Sequence, residues 1–206
     1  MTRGLAIMEH PDFLALKAGA EVLEADSYGE KVLRLPDGRI LKLFRRKRLI
    51  TSAAWYPYAR RFVDNAAALA ARGIPVPRVI AALRVPSAKR DAVLYWPLAG
   101  STLRALLRQG LDAESEGRIK RLFTAFVIRL HAHGVYFRSL HLGNVVLTPA
   151  GELGLIDFAD LRIHRRPLPT FMRRRNIRRM LEIPGERGWI DEEAIMGARH
   201  APFQEP

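Results

Sequence analysis

Residues 137–158 read FRSLHLGNVVLTPAGELGLIDF. Two short apolar runs, 145–147 and 153–156, flank the turn-forming residues Pro149, Ala150 and Gly151, a pattern that predicts a β-hairpin. A hairpin brings the start of its first strand beside the end of its second. Asn144, before the first strand, and Asp157, after the second, are therefore expected to lie close together. An amide oxygen and a carboxylate side by side are suitable ligands for one hard cation such as Mg²⁺. The competing structural reading is that Asp157 caps the next turn and that Asn144 fills a left-handed or turn position. Ser139 and His141 lie on the segment that leads into the hairpin.

Upstream of this segment, residues 113–133 carry Ile119, Leu122, Phe123, Phe126, Val127 and Leu130 at helical spacing, and Gly134 ends the pattern. Ser101 stands as N-cap of a shorter helix carrying Leu103, Leu106 and Leu107 and ended by Gly110. Residues 79–85 and 92–98 read as strands. Residues 57–72 read as a helix with Tyr58, Phe62, Ala66 and Leu69 on one stripe. Residues 20–44 read as a β-meander: strands at 20–25, 31–35 and 39–44, with turns at Asp26, Ser27, Tyr28 and Gly29 and at Pro36, Asp37 and Gly38. In the last of these strands Ile40 and Lys42 point one way, Leu41 and Leu43 the other. Downstream, Thr170 caps a helix whose apolar face holds Phe171, Ile177, Met180 and Leu181. From Pro184 onward the pattern is weak. Strands, helix, strands and then mostly helix make an α+β chain: a β-rich N-terminal lobe over 1–98 with one helix, and a mainly helical lobe over 99–206.

The 206 residues suffice for one well-buried domain or two small lobes, and 49% hydrophobic with 27% charged content describes a globular chain. No apolar run approaches the roughly 18 residues that span a bilayer. The first residues, MTRGLAIMEHPDF, put Glu9, His10, Pro11 and Asp12 where a signal peptide would be apolar, which argues against one. With no cysteine, disulfides and thiolate–zinc sites are excluded. The net charge of +13 is partly clustered, at Arg39, Lys42, Arg45, Arg46, Lys47 and Arg48 and again at Arg162, Arg165, Arg166, Arg173, Arg174, Arg175, Arg178 and Arg179. Such fields attract polyanions, although a solvated, solubilising surface accounts for them equally well. No zinc finger, RNP-like sequence or other recognition motif accompanies them, which disfavours nucleic acid as the partner.

Phosphoryl transfer needs a cation for the phosphates, oxygen ligands for Mg²⁺ and a group that orients or deprotonates the acceptor. Arg138-Ser139-Leu140-His141-Leu142-Gly143-Asn144 is similar to the catalytic loop H-[RG]-D-L-x-x-x-N, and Ile156-Asp157-Phe158-Ala159 to the D-F-G segment, of the protein-kinase-like superfamily. Leu140, His141, Gly143 and Asn144 match the H-G-D-L-H-P-G-N loop of its aminoglycoside- and lipopolysaccharide-kinase branches. Gly73-Ile74-Pro75-Val76-Pro77 resembles the link after the αC helix in lipopolysaccharide core kinases, Trp96-Pro97-Leu98 resembles an interlobe hinge, and the helix with Arg175, Asn176 and Arg179 also fits that family. The chain resembles the small bacterial proteins labelled toluene tolerance or lipopolysaccharide-kinase-like, over roughly 21–181. The resemblance implies a two-lobed protein-kinase-like fold with a compact, shortened helical C-lobe. It implies ATP and Mg²⁺, with Lys42, Gly29 and Asp64 on the nucleotide side, Asn144 and Asp157 as metal ligands, and Ser139 and His141 at the acceptor. It also implies an anionic small-molecule or lipid-linked sugar acceptor, and a cytoplasmic protein that contacts the inner-membrane surface.

The departures from the family pattern bear on activity. Ser139 stands where the family has its catalytic Asp, and losing general-base help lowers rates roughly 10²–10⁴-fold. His141 is then the nearest substitute base, with a packed loop histidine as its structural alternative. Only Gly29 represents the glycine loop, and Asp64 is the only acid on the 57–72 helix that could pair with Lys42, itself otherwise one more charge on a basic strand. The expectations are therefore an ATP-dependent lipopolysaccharide-sugar kinase or a pseudokinase with a scaffold or regulatory role, and less strongly a basic nucleic-acid-binding protein. Oligomeric state is not legible.

Overall fold

The computed structural model describes residues 5–46 and 56–198; Lys47 and Arg48 of the first basic cluster lie outside them. The chain divides into two compact units, Met1–Ala67 with Val76–Leu98, and Ala68–Pro75 with Ala99–Pro206. Six α-helices and eleven strands are described, so the fold is mixed α+β.

The first unit is built on a six-stranded sheet. Its strands are β1 (Ala6–Ile7), β2 (Glu21–Asp26), β3 (Gly29–Arg34), β4 (Ile40–Arg45), β5 (Arg78–Val85) and β6 (Arg90–Trp96), in the order β1-β5-β6-β4-β3-β2. The meander β2-β3-β4 is the one expected from its turn residues. Beyond it β6 rather than β5 lies beside β4, with Lys42 opposite Val93. Leu33, Leu35, Leu41, Leu43, Leu83, Val85, Ala92 and Leu94 form the core on one face. Helix α1 (His10–Lys17) supplies Phe13 to that core. Sequence reasoning missed α1 because Phe13 is its only buried residue and leaves no apolar stripe to read. Phe44 instead packs on Phe62 of helix α2 (Tyr58–Ala70), at 6.3 Å between ring centroids, and Phe62 stacks on Tyr95 at 5.3 Å. Lys42 is two residues from Phe44 and shares its face. On α2 the buried stripe is Ala59, Phe62, Ala66 and Leu69, with Tyr58 displaced to a half-buried position beside Arg61.

The second unit holds α3 (Leu103–Gln109), α4 (Ala113–Ala132), α5 (Thr170–Leu181) and α6 (Glu192–Gly197). Its three-stranded sheet has the order β10-β9-β7, from β7 (Ser101–Thr102), β9 (Val145–Leu147) and β10 (Leu153–Leu155). A separate ribbon pairs β8 (Val135–Tyr136) with β11 (Arg162–Ile163). Ser101 belongs to β7, and it is the Thr102 hydroxyl that accepts the Ala105 N–H at 3.1 Å and caps α3. Helix α4 buries Ile119, Phe123, Phe126, Val127 and Leu130, each worth about 1.5–3 kcal/mol of transfer energy. Asp112 caps its start through the Ser115 N–H at 2.8 Å.

Helix α5 differs from its expected pattern. Pro169, not Thr170, occupies the N-cap position, and Phe171 is 70% exposed. The buried face is Arg173, Asn176, Ile177 and Met180. Arg173 leaves the basic surface to donate to the carbonyls of Ile195, Met196 (3.1 Å) and Ala198 (3.4 Å), closing the C-terminal end of α6. The weakly patterned segment after Pro184 thus contains a 3₁₀ turn with buried Trp189, and α6 with buried Ile195.

Gly134 ends α4 with φ +69°, where a Cβ would sit 2.3 Å from the His164 carbonyl oxygen. Both the left-handed backbone and the close approach need glycine. Gly134→Ala is expected to destabilise the fold by about 3 kcal/mol. Urea unfolding checks this, and a midpoint equal to that of the parent chain would refute the packing described.

Candidate functional site

Buried polar groups hold the loop that joins β8 to β9. Asn176, 1% exposed, bridges two elements: its Nδ2 donates to the Phe137 carbonyl at 2.9 Å, and its Oδ1 lies 3.0 Å from His131 Nε2 on α4. Phe137, fully buried, anchors the loop in the core. From the other side Glu186, 4% exposed, accepts the Leu142 N–H at 2.9 Å on Oε2 and the Arg104 Nε–H at 2.6 Å on Oε1. The loop passes through a 3₁₀ turn, Leu142–Asn144, closed by the Asn144 N–H donating to the His141 carbonyl at 2.9 Å.

The hairpin closes in register, Val145 opposite Leu155 and Leu147 opposite Leu153. One bond beyond the ladder, the Ile156 N–H donates to the Asn144 carbonyl at 3.0 Å. That bond puts Asn144 next to the residue preceding Asp157. The Asn144 Nδ2 donates to the Ser139 carbonyl at 2.9 Å, which commits the amide nitrogen to the loop and leaves Oδ1 as the atom that could meet a cation. Asp157 is exposed and has φ +53°, one of two non-glycine residues with positive φ among those described. The left-handed residue is therefore Asp157, not Asn144. Such backbone stores on the order of 1–3 kcal/mol and concentrates at functional positions. Buried Phe158 and Leu155 on either side hold it there.

Ser139 is exposed, and its hydroxyl donates to Asp160 Oδ2 at 2.5 Å. His141 is half-buried, and its Nδ1 is buried with no hydrogen-bond partner. Burial, and then the Arg104 guanidinium, push the His141 pKa below its ordinary 6.5, while Glu186 and Asp157 pull it back up. Arg104 reaches the loop because residue 143 is glycine: a Cβ there would meet Arg104 Nη1 at 2.9 Å.

The remaining candidates are in the first unit. The Lys42 ammonium lies 5.8 Å from the centroid of the Phe44 ring. Gly29 has φ +104° at the β2–β3 turn. That turn is tied down by the Tyr28 N–H donating to Asp26 at 2.8 Å, by Arg90 donating to the Tyr28 carbonyl at 2.6 Å and by the Arg45 guanidinium 3.4 Å above the Tyr28 ring. Asp64 accepts from the Tyr56 hydroxyl at 2.8 Å and from Arg60 Nε at 3.0 Å. Burial, then Asp64, raise the Tyr56 pKa to about 12.

Among the described residues no group of three or more His, Asp or Glu could hold a metal unaided. Asn144 and Asp157 could offer two oxygen atoms to a cation. That donor set fits Mg²⁺, which takes one or two protein ligands and completes its shell with water and substrate phosphates. Bound there, Mg²⁺ would neutralise charge on a transferring phosphoryl group.

The chain is similar to kinases of 3-deoxy-D-manno-octulosonic acid. The curated proteins of that name from Xylella fastidiosa strains M12 and 9a5c are each 34% identical to it over 125 residues, which is 58% of this chain. The chain spans about half the length of these relatives, 48%. No protein-family profile matches it. The similarity supports the resemblance to lipopolysaccharide core kinases.

Sequence reasoning missed Glu186 and Asp160. Glu186 lies in the unpatterned stretch after Pro184, and its value comes only from burial beside the loop. Asp160 is three residues after Asp157 and was legible only as a second acid in Asp157-Phe158-Ala159-Asp160.

Glu186→Ala leaves the Leu142 N–H without its buried acceptor and is expected to lower stability by about 2 kcal/mol. Glu186→Gln, which can still accept through its amide oxygen, is expected to lose less, as read from urea midpoints. Because His141 binds a proton more weakly folded than unfolded, its contribution falls as pH drops through the unfolded value of 6.5. Stability should therefore rise from pH 5 to pH 7, and His141→Asn should shrink that rise. An unchanged slope in the variant would refute the burial argument.

Proposed function

We propose that this chain is a two-lobed, protein-kinase-like phosphotransferase that moves the γ-phosphate of ATP to a sugar of the lipopolysaccharide core. The observation that carries the reading is the pairing of Asn144 and Asp157 at the open end of one hairpin through the Ile156–Asn144 hydrogen bond. The left-handed backbone of Asp157 and the Asn144 amide oriented by Ser139 add to it. Similarity to 3-deoxy-D-manno-octulosonic acid kinases supports a sugar acid as the acceptor class.

In this reading Asn144 and Asp157 hold Mg²⁺, Lys42 takes the nucleotide phosphates and the turn at Gly29 covers them. Asp64 would exchange Arg60 for Lys42. Ser139 and His141 lie at the acceptor. A lipid-linked, anionic acceptor at the cytoplasmic face of the inner membrane accounts for the basic face of α5. There a groove of about 940 Å³ is lined by Phe171, Arg174, Arg175, Arg178 and Leu181. Among the described residues no helix is long and apolar enough to cross a membrane.

The second reading is a pseudokinase, favoured by Ser139 at the base position and by the single glycine of the β2–β3 turn. Labelled ATP, Mg²⁺ and lipopolysaccharide core oligosaccharide separate the two. Wild type is expected to transfer phosphate, and Asp157→Asn to transfer at least about 100-fold less, since a bound metal supplies several kcal/mol of charge stabilisation. Wild type that transfers nothing while Ser139→Asp does would sink the active-kinase reading. Millimolar ATP with Mg²⁺ should also raise the melting temperature, because ligand binding stabilises the folded state.

A further inference from the structure

We infer that Asp160 is the catalytic base of this site, displaced from the loop position that Ser139 occupies to the turn just after Asp157. The inference rests on the phosphotransferase reading and adds to it a residue that neither the resemblance nor the similarity supplies. Three observations carry it. The Ser139 hydroxyl donates to Asp160 Oδ2 at 2.5 Å, so a carboxylate stands within hydrogen-bond reach of the place where the loop lacks one. Asp160 is on a fixed turn: Phe158, Ala159 and Leu161 are all buried around it, and the Leu161 N–H donates to the Phe158 carbonyl at 3.1 Å. Asp160 itself is half-buried and Ser139 exposed, so the carboxylate is both held and open to an acceptor.

The chemistry follows from the two carboxylate oxygens. Oδ2 is occupied by the Ser139 hydroxyl, which sets the plane of the group. Oδ1 takes the proton of the acceptor hydroxyl as that oxygen bonds to the γ-phosphorus. The bond from γ-phosphorus to the β,γ-bridging oxygen breaks, and ADP leaves with the electron pair. Ser139 itself is a poor proton acceptor and acts here as a positioning residue. His141 is the weaker alternative, since burial and the neighbouring Arg104 lower its basicity and its Nδ1 is enclosed.

The test uses the full chain, labelled ATP with Mg²⁺, and lipopolysaccharide core oligosaccharide as acceptor, for wild type, Ser139→Asp, Asp160→Asn and the double variant Ser139→Asp/Asp160→Asn. Asp160→Asn is expected to lower kcat about 100-fold or more, with the KM for ATP within about two-fold and the ATP-induced rise in melting temperature retained. The double variant, which returns a carboxylate to the loop, is expected to regain at least about ten-fold of that loss. Asp160→Asn holding kcat within about three-fold of an active wild type would overturn the assignment and leave the phosphotransferase reading standing. A loss of kcat accompanied by a lost ATP-induced shift, with no recovery in the double variant, would overturn it as well, because Asp160 would then be only a structural tie. Wild type that transfers nothing while Ser139→Asp transfers would instead fail the reading on which the assignment rests.

Discussion

A single backbone hydrogen bond, from the Ile156 N–H to the Asn144 carbonyl, is the constraint on which the candidate site depends. It lies one step past the β9–β10 ladder and extends the register by one pair. Without it, the 3₁₀ turn that carries Asn144 and the left-handed residue Asp157 could diverge at the open end of the hairpin. With it, two oxygen-bearing side chains are kept on neighbouring backbone. The strain at Asp157 is tolerable for the same reason. Its neighbours on both sides are locked, Leu155 by the ladder and by donation to the Pro75 carbonyl, Phe158 by complete burial.

The loop leading into this hairpin has little regular structure of its own, and buried polar side chains from distant parts of the chain substitute for it. Asn176 reaches from α5 to the Phe137 carbonyl, and Glu186 reaches from beyond α5 to the Leu142 N–H. Each satisfies a backbone group that would otherwise be buried without a partner, so removing either costs more than one ordinary hydrogen bond is worth. The same economy explains Arg173. A residue that counts as surface charge by composition is buried to close the end of α6.

Much of this was legible along the chain. Gly134, the Pro149 to Gly151 turn and the apolar spacing of α4 are local signals, and the elements they predict are present within a residue or two. The expected proximity of Asn144 and Asp157 is likewise local, because a hairpin is a short-range structure. Reading failed where the deciding partner is far away in sequence. Phe171 looked like core and Arg173 like surface because helical periodicity gives a stripe but not the side of it that meets the rest of the protein. The bond from Ser139 to Asp160 spans 21 residues and two turns, and no pattern of residue types announces it.

The sequence by itself determined the order of the longer elements, the hairpin that pairs Asn144 with Asp157, and the serine where a carboxylate would be expected. These depend on periodicity and turn chemistry, which act over a few residues. Only the tertiary structure decided that β6 inserts beside β4, that Glu186 and Asn176 brace the loop, and that a carboxylate does stand beside Ser139, supplied by Asp160. Those outcomes depend on which buried groups find partners once the chain has folded, and that is settled by packing among residues the sequence keeps far apart.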